Sequence, residues 1–216
     1  MDKHPNSIPA SGRSGSGLPA SGIDGGFTDP VFDSQAIFAG VMQALSRPGT
    51  AVELGARVKA PGALAPAAAS ILAALADYDT PVWLDASLRQ APDVVQWIGF
   101  QTGAIQVKAP GQARFAVASA GADLPNLSDF ALGTADYPDR STTLILVLDD
   151  LATGAPLTLT GPGIEVSTTI RPRGLTPAFF ADWAINQALF PRGIDVLLVA
   201  GNQALGLPRT TRIRSA

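Results

Sequence analysis

Residues 142–148, Thr-Thr-Leu-Ile-Leu-Val-Leu, decide the fold of this chain. They are β-branched or apolar without interruption, which is typical of a strand that is covered on both faces of a sheet. Residues 194–200, Ile-Asp-Val-Leu-Leu-Val-Ala, form a second stretch of the same kind. Strand patterns alternate with helical patterns around these two stretches. The sequence therefore predicts a layered α/β fold with a mixed sheet of about six or seven strands.

Outward from these central strands, the pattern predicts further strands and an antiparallel hairpin. The hairpin joins residues 157–160 to residues 166–170 through Gly161-Pro162-Gly163, since apolar residues alternate with Thr or Ser on either side of that turn. The other short strands are predicted at residues 51–54, 82–84, 104–107 and 113–118.

Helices are predicted between the strands. The first begins after Asp33 or Ser34 as its cap and has an apolar stripe at Phe38, Val41, Met42 and Leu45. Three others begin at prolines, and a short one containing Phe130 is expected with Ser128 as its cap. The three begin at Pro66, at Pro92 and at Pro177.

Composition divides the chain into a tail and one domain. Residues 1–26 contain six Gly, five Ser and three Pro with no apolar run, so they are predicted to be a disordered N-terminal tail without a signal peptide. Residues 27–216 are long enough for one domain with a sizeable core. No apolar run approaches the roughly 20 residues of a membrane span. We therefore expect a soluble, cytoplasmic protein that does not bind a membrane.

The residue types missing from the domain limit its chemistry. Residues 27–216 contain no Cys, no His and only two lysines, Lys59 and Lys108. The domain thus lacks imidazole for proton transfer and thiolate for nucleophilic attack or soft-metal binding. No metal site is expected. Carboxylates, hydroxyl groups, arginines and backbone amides remain, a set suited to holding an anion or a partner.

Charge is unevenly distributed along the chain. The net charge of −3 argues against nucleic-acid binding. Residues 171–214, however, hold six arginines against two aspartates, whereas residues 27–170 hold seven basic against fourteen acidic residues. The basic C-terminal quarter indicates a phosphate-like ligand or an acidic partner surface; the alternative is a set of solvated arginines at turns.

Several arginines stand beside stiff turns, which lowers the cost of positioning them for an anion or a subunit contact. The alternative is that these arginines only mark the ends of helices and strands. Gly161 and Gly163 could expose backbone amides to an anion, or form a plain turn. Asp195 begins a buried strand and needs a partner, for which Arg192 and Arg209 are the candidates. The arginine candidates are Arg47, Arg140, Arg171, Arg192 and Arg209.

Taken together in this order, a set of short segments resembles the PhnH family, the H subunit of the bacterial carbon-phosphorus lyase system. The resemblance covers residues 27–213, and the combination is more specific than any single segment. The segments are 27–32 (FTDPVF), Phe38 with Met42 and 47–49 (RPG), 75–82, Gly133-Thr134 with Pro138, 161–164 (GPGI), Asn186 with 190–196 (FPRGIDV), and 207–211 (LPRTT).

The resemblance implies a role in phosphonate breakdown, within a core complex with the G, I and J subunits. It implies support for the step in which the ribose triphosphate moiety of ATP is transferred to a phosphonate, with catalysis mainly by the I subunit. It also implies a homodimer and a three-layer sandwich similar to the large domain of fold-type-I pyridoxal-phosphate transferases. The family lacks pyridoxal phosphate, and neither Lys59 nor Lys108 has a context that marks a Schiff-base lysine.

Two functions remain open from the sequence. The first is a non-autonomous subunit of a phosphonate-processing complex whose arginines contact partners or phosphate groups. The second is a free-standing anion-binding transferase that uses the same arginines and Asp195. The first predicts little turnover by the isolated chain and co-purification with partner subunits, and the second predicts the reverse.

Overall fold

The computed structural model describes residues 24–215, which form an α/β fold with a mixed sheet. Seven strands form the main sheet in the order β1-β9-β8-β5-β4-β2-β3, and three form a small antiparallel sheet in the order β10-β6-β7. The strands are β1 (Ala51–Glu53), β2 (Val82–Leu84), β3 (Gln106–Val107), β4 (Phe115–Ser119), β5 (Thr143–Val147), β6 (Leu157–Thr160), β7 (Thr168–Ile170), β8 (Asp195–Ala200), β9 (Gln203–Leu207) and β10 (Arg212–Ser215).

Four of the helices begin at prolines, and three of these prolines, Pro66, Pro92 and Pro177, are predicted from the sequence. Pro30, Pro66, Pro92 and Pro177 each occupy the first turn of a helix, where the missing N–H costs nothing. The helices are α1 (Pro30–Ser46), α2 (Pro66–Leu75), α3 (Ala86–Arg89), α4 (Pro92–Thr102) and α5 (Pro177–Ala188).

The central strands of the main sheet are buried on both faces, as the sequence predicts for β5 and β8. Alternate residues of each strand enter opposite cores, because side chains of a strand point to opposite faces. In β5, Ile145 packs in the core under α1, α2 and α4, while Leu144 and Leu146 pack in the core under α5 and the small sheet. This arrangement is compatible with a three-layer sandwich. The similarity to pyridoxal-phosphate transferases stays a prediction.

The central pair of strands is confirmed. β5 and β8 lie side by side and parallel, with Thr143 opposite Asp195 and Val147 opposite Val199. The predicted hairpin is also confirmed as β6 and β7, which pair antiparallel. It lies in the separate small sheet together with β10. Neither β9 nor β10 is predicted from the sequence.

The predicted start of α1 is wrong, and its predicted buried face is wrong at two of four positions. The helix begins earlier than predicted because Asp29 caps it: the Asp29 carboxylate accepts the N–H of Phe32 at 3.2 Å. Asp33 completes the cap from inside the helix by accepting the N–H of Asp29 at 3.1 Å. Phe38 and Met42 are 53% and 49% exposed. Val41 is buried and Leu45 is half-buried against the core, as predicted, and the rest of the buried face is formed by Ile37, Gly40 and Ala44.

The helix predicted after Ser128 is also wrong. Residues Leu127–Asp129 form a single 3-10 turn whose N-cap position is Asn126, without a side-chain cap bond. Phe130 follows the turn and packs edge-to-face on Trp83, with ring centroids 5.5 Å apart. Packing of this ring against the sheet, rather than a helix, orders the segment.

The predicted tail, residues 1–26, lies outside the described residues except for 24–26, and its disorder stays a prediction. Within residues 24–215, no helix combines the length and the apolar character that a membrane crossing requires.

Candidate functional site

Arg209 joins the segments that precede β5 and β8 at the edge where β4, β5 and β8 begin, here called the amino edge. Its Nε donates to Asp195 Oδ1 at 3.1 Å and its Nη2 to Asp195 Oδ2 at 2.6 Å. The Arg209 backbone N–H donates to Asp195 Oδ1 at 2.8 Å. Its Nη1 donates to the carbonyl oxygens of Pro138 and Pro191 at 3.0 and 3.2 Å, and its Nη2 also donates to the Ser141 hydroxyl at 2.6 Å.

These contacts make Arg209 a structural clamp. A guanidinium has five N–H groups, and all five of Arg209 are engaged within the chain. The predicted pairing of Asp195 with Arg209 is confirmed, and Arg192 is exposed instead. Because the side chains of Arg209 and Asp195 are only 11% and 24% exposed, the pair is weakly screened by water. It fixes the loops that precede β5 and β8.

Beside the clamp lies a cavity with two further arginines, here called the amino-edge cavity. Its volume is about 430 Å³, and it opens where β4 and β5 begin. Arg140 stacks on Tyr137, with its guanidinium carbon 4.2 Å from the ring centroid. The cavity is lined by Leu75, Thr80, Arg114, Phe115, Asp139, Arg140, Ser141 and Thr143. It therefore offers two guanidinium groups and three hydroxyl groups, together with the carboxylate of Asp139.

Sequence reasoning missed Arg114. The residue is half-buried, and its guanidinium makes no hydrogen bond or ion pair with the residues that the structure describes. Its position gives a signal: Arg114 directly precedes β4, just as Arg140 precedes β5 by a few residues. Neighbouring parallel strands begin at the same edge, so arginines that precede them meet there.

A groove, here called the Phe190 groove, also lies near the clamp, since Thr210, the neighbour of Arg209, lines it. It has a volume of about 510 Å³ and is lined by Pro162, Ala184, Gln187, Ala188, Phe190, Thr210 and Arg212. Phe190 is 64% exposed and also lines a smaller cavity of about 360 Å³ together with Asp195 and Arg209. Four of its seven lining residues are apolar, and Arg212 contributes the one guanidinium.

The remaining candidates are not among the residues that line these three cavities. Arg47 occupies the C-cap position of α1, and Arg171 follows β7; both are exposed and line none of the three cavities. Gly161 and Gly163 lie in a turn, in which the Ile164 N–H donates to the Gly161 carbonyl at 3.1 Å. Both glycines have positive φ, and a Cβ on Gly163 would overlap the Ser46 carbonyl.

Asp85 is a buried carboxylate at the opposite edge of the sheet, and sequence reasoning also missed it. It is 1% exposed and directly follows β2. It accepts the Ser87 hydroxyl at 2.6 Å, the Leu88 N–H at 2.9 Å and the Ser119 N–H at 2.8 Å. Burial opposes its ionisation, but these hydrogen bonds outweigh that penalty and lower the pKa of Asp85. The carboxylate caps α3 and ties β2 to the end of β4.

The fold and these sites define an α/β protein in which a guanidinium clamp closes the amino edge and unpaired arginines and hydroxyl groups line the cavity beside it. The chain belongs to the PhnH family of bacterial phosphonate metabolism proteins, whose family profile matches residues 25–214. The match covers nearly all of the described residues.

Two curated proteins are similar to this chain. Subunit PhnH of alpha-D-ribose 1-methylphosphonate 5-triphosphate synthase from Rhizobium meliloti (strain 1021) is 43% identical over 189 residues, which cover 88% of this chain and 94% of that protein. A putative C-P lyase subunit protein, HtxG, from Stutzerimonas stutzeri is 34% identical over 82 residues, covering 38% of this chain and 42% of that protein.

Proposed function

We propose that this chain is the H subunit of an alpha-D-ribose 1-methylphosphonate 5-triphosphate synthase, within a carbon-phosphorus lyase core complex that breaks down organic phosphonates. The 43% identity to a subunit of that name over 94% of its length carries the proposal. The chain works there with G, I and J subunits and supports the transfer of the ribose triphosphate moiety of ATP to an alkylphosphonate.

In this proposal the chain does not catalyse the transfer alone. Residues 27–216 contain no His or Cys. Asp195, the carboxylate considered for a free-standing transferase, is held by Arg209 through both of its oxygens. A carboxylate engaged in this way is poorly placed to accept a proton from a substrate. This geometry favours the subunit over the free-standing enzyme.

The amino-edge cavity is the part of the chain that we assign to an anionic group. Arg140, from the predicted set, and Arg114 both line it, and neither pairs with a carboxylate among residues 24–215. Planar guanidinium groups bind phosphate-like oxygens through paired hydrogen bonds. The Ser141 hydroxyl accepts a hydrogen bond from Arg209, so its own hydrogen is available to a ligand.

The chain also works without pyridoxal phosphate in this proposal. Lys59 and Lys108, the lysines of the domain, are both exposed, and neither lines the cavities described above. A Schiff-base lysine requires an enclosed, cofactor-binding surrounding. A purified protein with a visible absorption band that borohydride removes would contradict this part of the proposal.

We propose in addition that the chain is a cytoplasmic homodimer. Sedimentation of the purified protein tests the dimer.

The test of the function is expression of the chain alone and together with the G, I and J subunits. Each preparation is incubated with ATP and methylphosphonate, and adenine release is measured. We expect the chain to co-purify with its partners and to release no adenine alone. Adenine release by the isolated chain, abolished in Asp195→Asn and unchanged in the control Asp123→Asn, would support the free-standing transferase instead.

A further inference from the structure

The outer face of the small sheet is basic. Strand register places Arg212 opposite Thr160 and Arg214 opposite Thr158, which in turn lies opposite Thr169. These residues point away from the core, because their neighbours Leu157, Leu159 and Ile170 are buried beneath the sheet. We call the surface formed by Thr158, Thr160, Thr169, Arg171, Arg212 and Arg214 the basic face.

The basic face carries no carboxylate of its own. Arg171 continues the alternation of β7 and, like Arg212 and Arg214, is exposed. None of the three forms an ion pair within residues 24–215. Strands β6, β7 and β10 carry no acidic residue, and Glu165 lies in the turn between β6 and β7. The face is thus positive on a chain whose net charge is −3.

The basic face continues into the Phe190 groove. Arg212 belongs to both surfaces, and the groove adds an exposed aromatic ring and the apolar side chains of Ala184, Ala188 and Pro162. Protein interfaces combine an apolar anchor site with surrounding polar contacts, and aromatic and arginine residues are enriched in them. A small anion would require several convergent donors, whereas the groove provides a single guanidinium.

We infer that the basic face and the Phe190 groove together dock an acidic segment of a partner protein, with an apolar side chain of that segment in the groove. A second copy of this chain is a poor occupant. A twofold interface uses the same surface on both copies, so the arginines would face a surface that lacks carboxylates. This inference rests on the proposed function, in which the partner is another subunit of the complex.

The test compares three variants within the full complex. Arg212→Glu with Arg214→Glu reverses the charge of the face, and Ala184→Trp fills the groove at an exposed position. Arg89→Glu with Lys108→Glu makes the same charge change at exposed sites outside both surfaces. Each protein is first checked for its unfolding midpoint, and its binding to the co-expressed partner subunits is then measured by calorimetry at about 50 and about 300 mM salt.

We expect the wild-type chain and the Arg89/Lys108 variant to bind alike, and binding to weaken as salt is added. The Arg212/Arg214 variant loses at least about tenfold in affinity and most of the salt dependence, and Ala184→Trp loses affinity with the salt dependence retained.

Equal binding by wild type and the Arg212/Arg214 variant overturns the inference and leaves the proposed function intact. Failure of the wild-type chain to bind any partner subunit overturns both. Binding of duplex DNA by the wild-type face, lost in the Arg212/Arg214 variant, also overturns the docking of an acidic protein.

Discussion

Arg209 shows how much one side chain can fix in this molecule. It connects its own loop to Asp195, to Ser141 and to the carbonyl oxygens of Pro138 and Pro191. These partners lie far apart in sequence, so the amino edge depends on a contact that no local pattern encodes. Arg209 therefore acts on the candidate site by shaping its walls.

Replacing Arg209 by Met is expected to destabilise the chain by about 3 kcal/mol, because it leaves the Asp195 carboxylate partly buried without its partner. Urea unfolding measures this change. Arg192→Met is the control, since Arg192 is exposed and makes no ion pair within the described residues, and its effect should stay within about 0.5 kcal/mol. Equal stabilities of the two variants would show that the clamp contributes little.

The pKa of Asp85 makes a second prediction about single residues. The folded-state pKa is lowered, so the stability that the carboxylate contributes is complete above its unfolded pKa of about 4 and is lost as pH falls through the folded pKa. Asp85→Asn should cost about 1 to 3 kcal/mol at neutral pH, since an amide nitrogen cannot accept a hydrogen bond.

The measurement is the free energy of unfolding of wild type and Asp85→Asn between neutral pH and about pH 3. The difference between the two proteins should narrow below about pH 4. The pKa values of Asp33 and Asp150 are also lowered, through backbone hydrogen bonds first of all. Asp33 and Asp150 are present in both wild type and Asp85→Asn. Their contributions to the free energy of unfolding therefore cancel in the difference between the two proteins, which reports on Asp85. A difference in the free energy of unfolding that stays constant with pH would contradict the lowered pKa of Asp85.

The arginines of the amino-edge cavity give a third prediction. Inorganic phosphate should raise the unfolding midpoint of the wild-type chain more than chloride does at equal ionic strength, because a ligand that binds the folded state stabilises it. Arg114→Gln with Arg140→Gln should remove this excess. Arg192→Gln, a change at an exposed arginine outside the cavity, should keep it. If phosphate raised the unfolding midpoint equally in all three proteins, the amino-edge cavity would not be the site at which phosphate acts.

At the scale of the elements, the close approach of α1 to the sheet depends on glycine. A Cβ on Gly40 would meet the Leu54 side chain at 2.5 Å, and one on Gly206 in β9 would overlap the backbone of Ala44. The two glycines thus select the face of α1 that is buried. This selection explains why Phe38 and Met42 face outward although the apolar spacing of α1 also suits their burial.

Gly206→Ala is therefore expected to destabilise the chain by about 1 to 3 kcal/mol, since the added Cβ would overlap backbone atoms of Ala44, which cannot rotate away as a side chain can. Gly99→Ala is the matched substitution in α4, where a Cβ meets nothing within 4 Å. It should stabilise the chain by about 0.5 to 1 kcal/mol, as Ala is the better helix former. Thermal unfolding compares the two, and a stabilising Gly206→Ala would contradict the packing of α1 on β9.

Patterns within one segment predicted most of the elements. The apolar runs of β5 and β8 and the prolines that begin α2, α4 and α5 each act locally, and the structure confirms them. β10 is different: its sequence, Arg-Ile-Arg-Ser, has little strand character, and it is ordered by pairing with β6. A strand that is ordered mainly by pairing with its neighbour, as β10 is, cannot be predicted from its own residues.

The candidate site was predictable to a similar extent. Arg140, Arg209 and Asp195 could be picked out by residue type and by their turns, and the partner of Asp195 followed from the cost of burying a carboxylate. Sequence reasoning could not tell that Arg209 is fully engaged within the chain, nor that Arg114 lines a cavity with Arg140. Both facts depend on which strands are neighbours, and strand order is set by the whole fold.

For the whole molecule, the central claim is that the chain supports a phosphonate-processing complex and does not act alone. Its surfaces suit this role. An arginine-lined cavity lies at the amino edge, and a basic face with an adjoining groove lies on the small sheet. The domain also lacks His and Cys.

Reconstitution by omission tests this claim most directly. The G, I and J subunits are assembled with and without this chain, and formation of the ribose methylphosphonate triphosphate from ATP and methylphosphonate is measured by phosphorus NMR. The account predicts product from the assembly that contains the chain, a strong loss when it is omitted, restoration when it is added back, and none from the chain alone. Full product formation without the chain, or product formation by the chain alone, would contradict it.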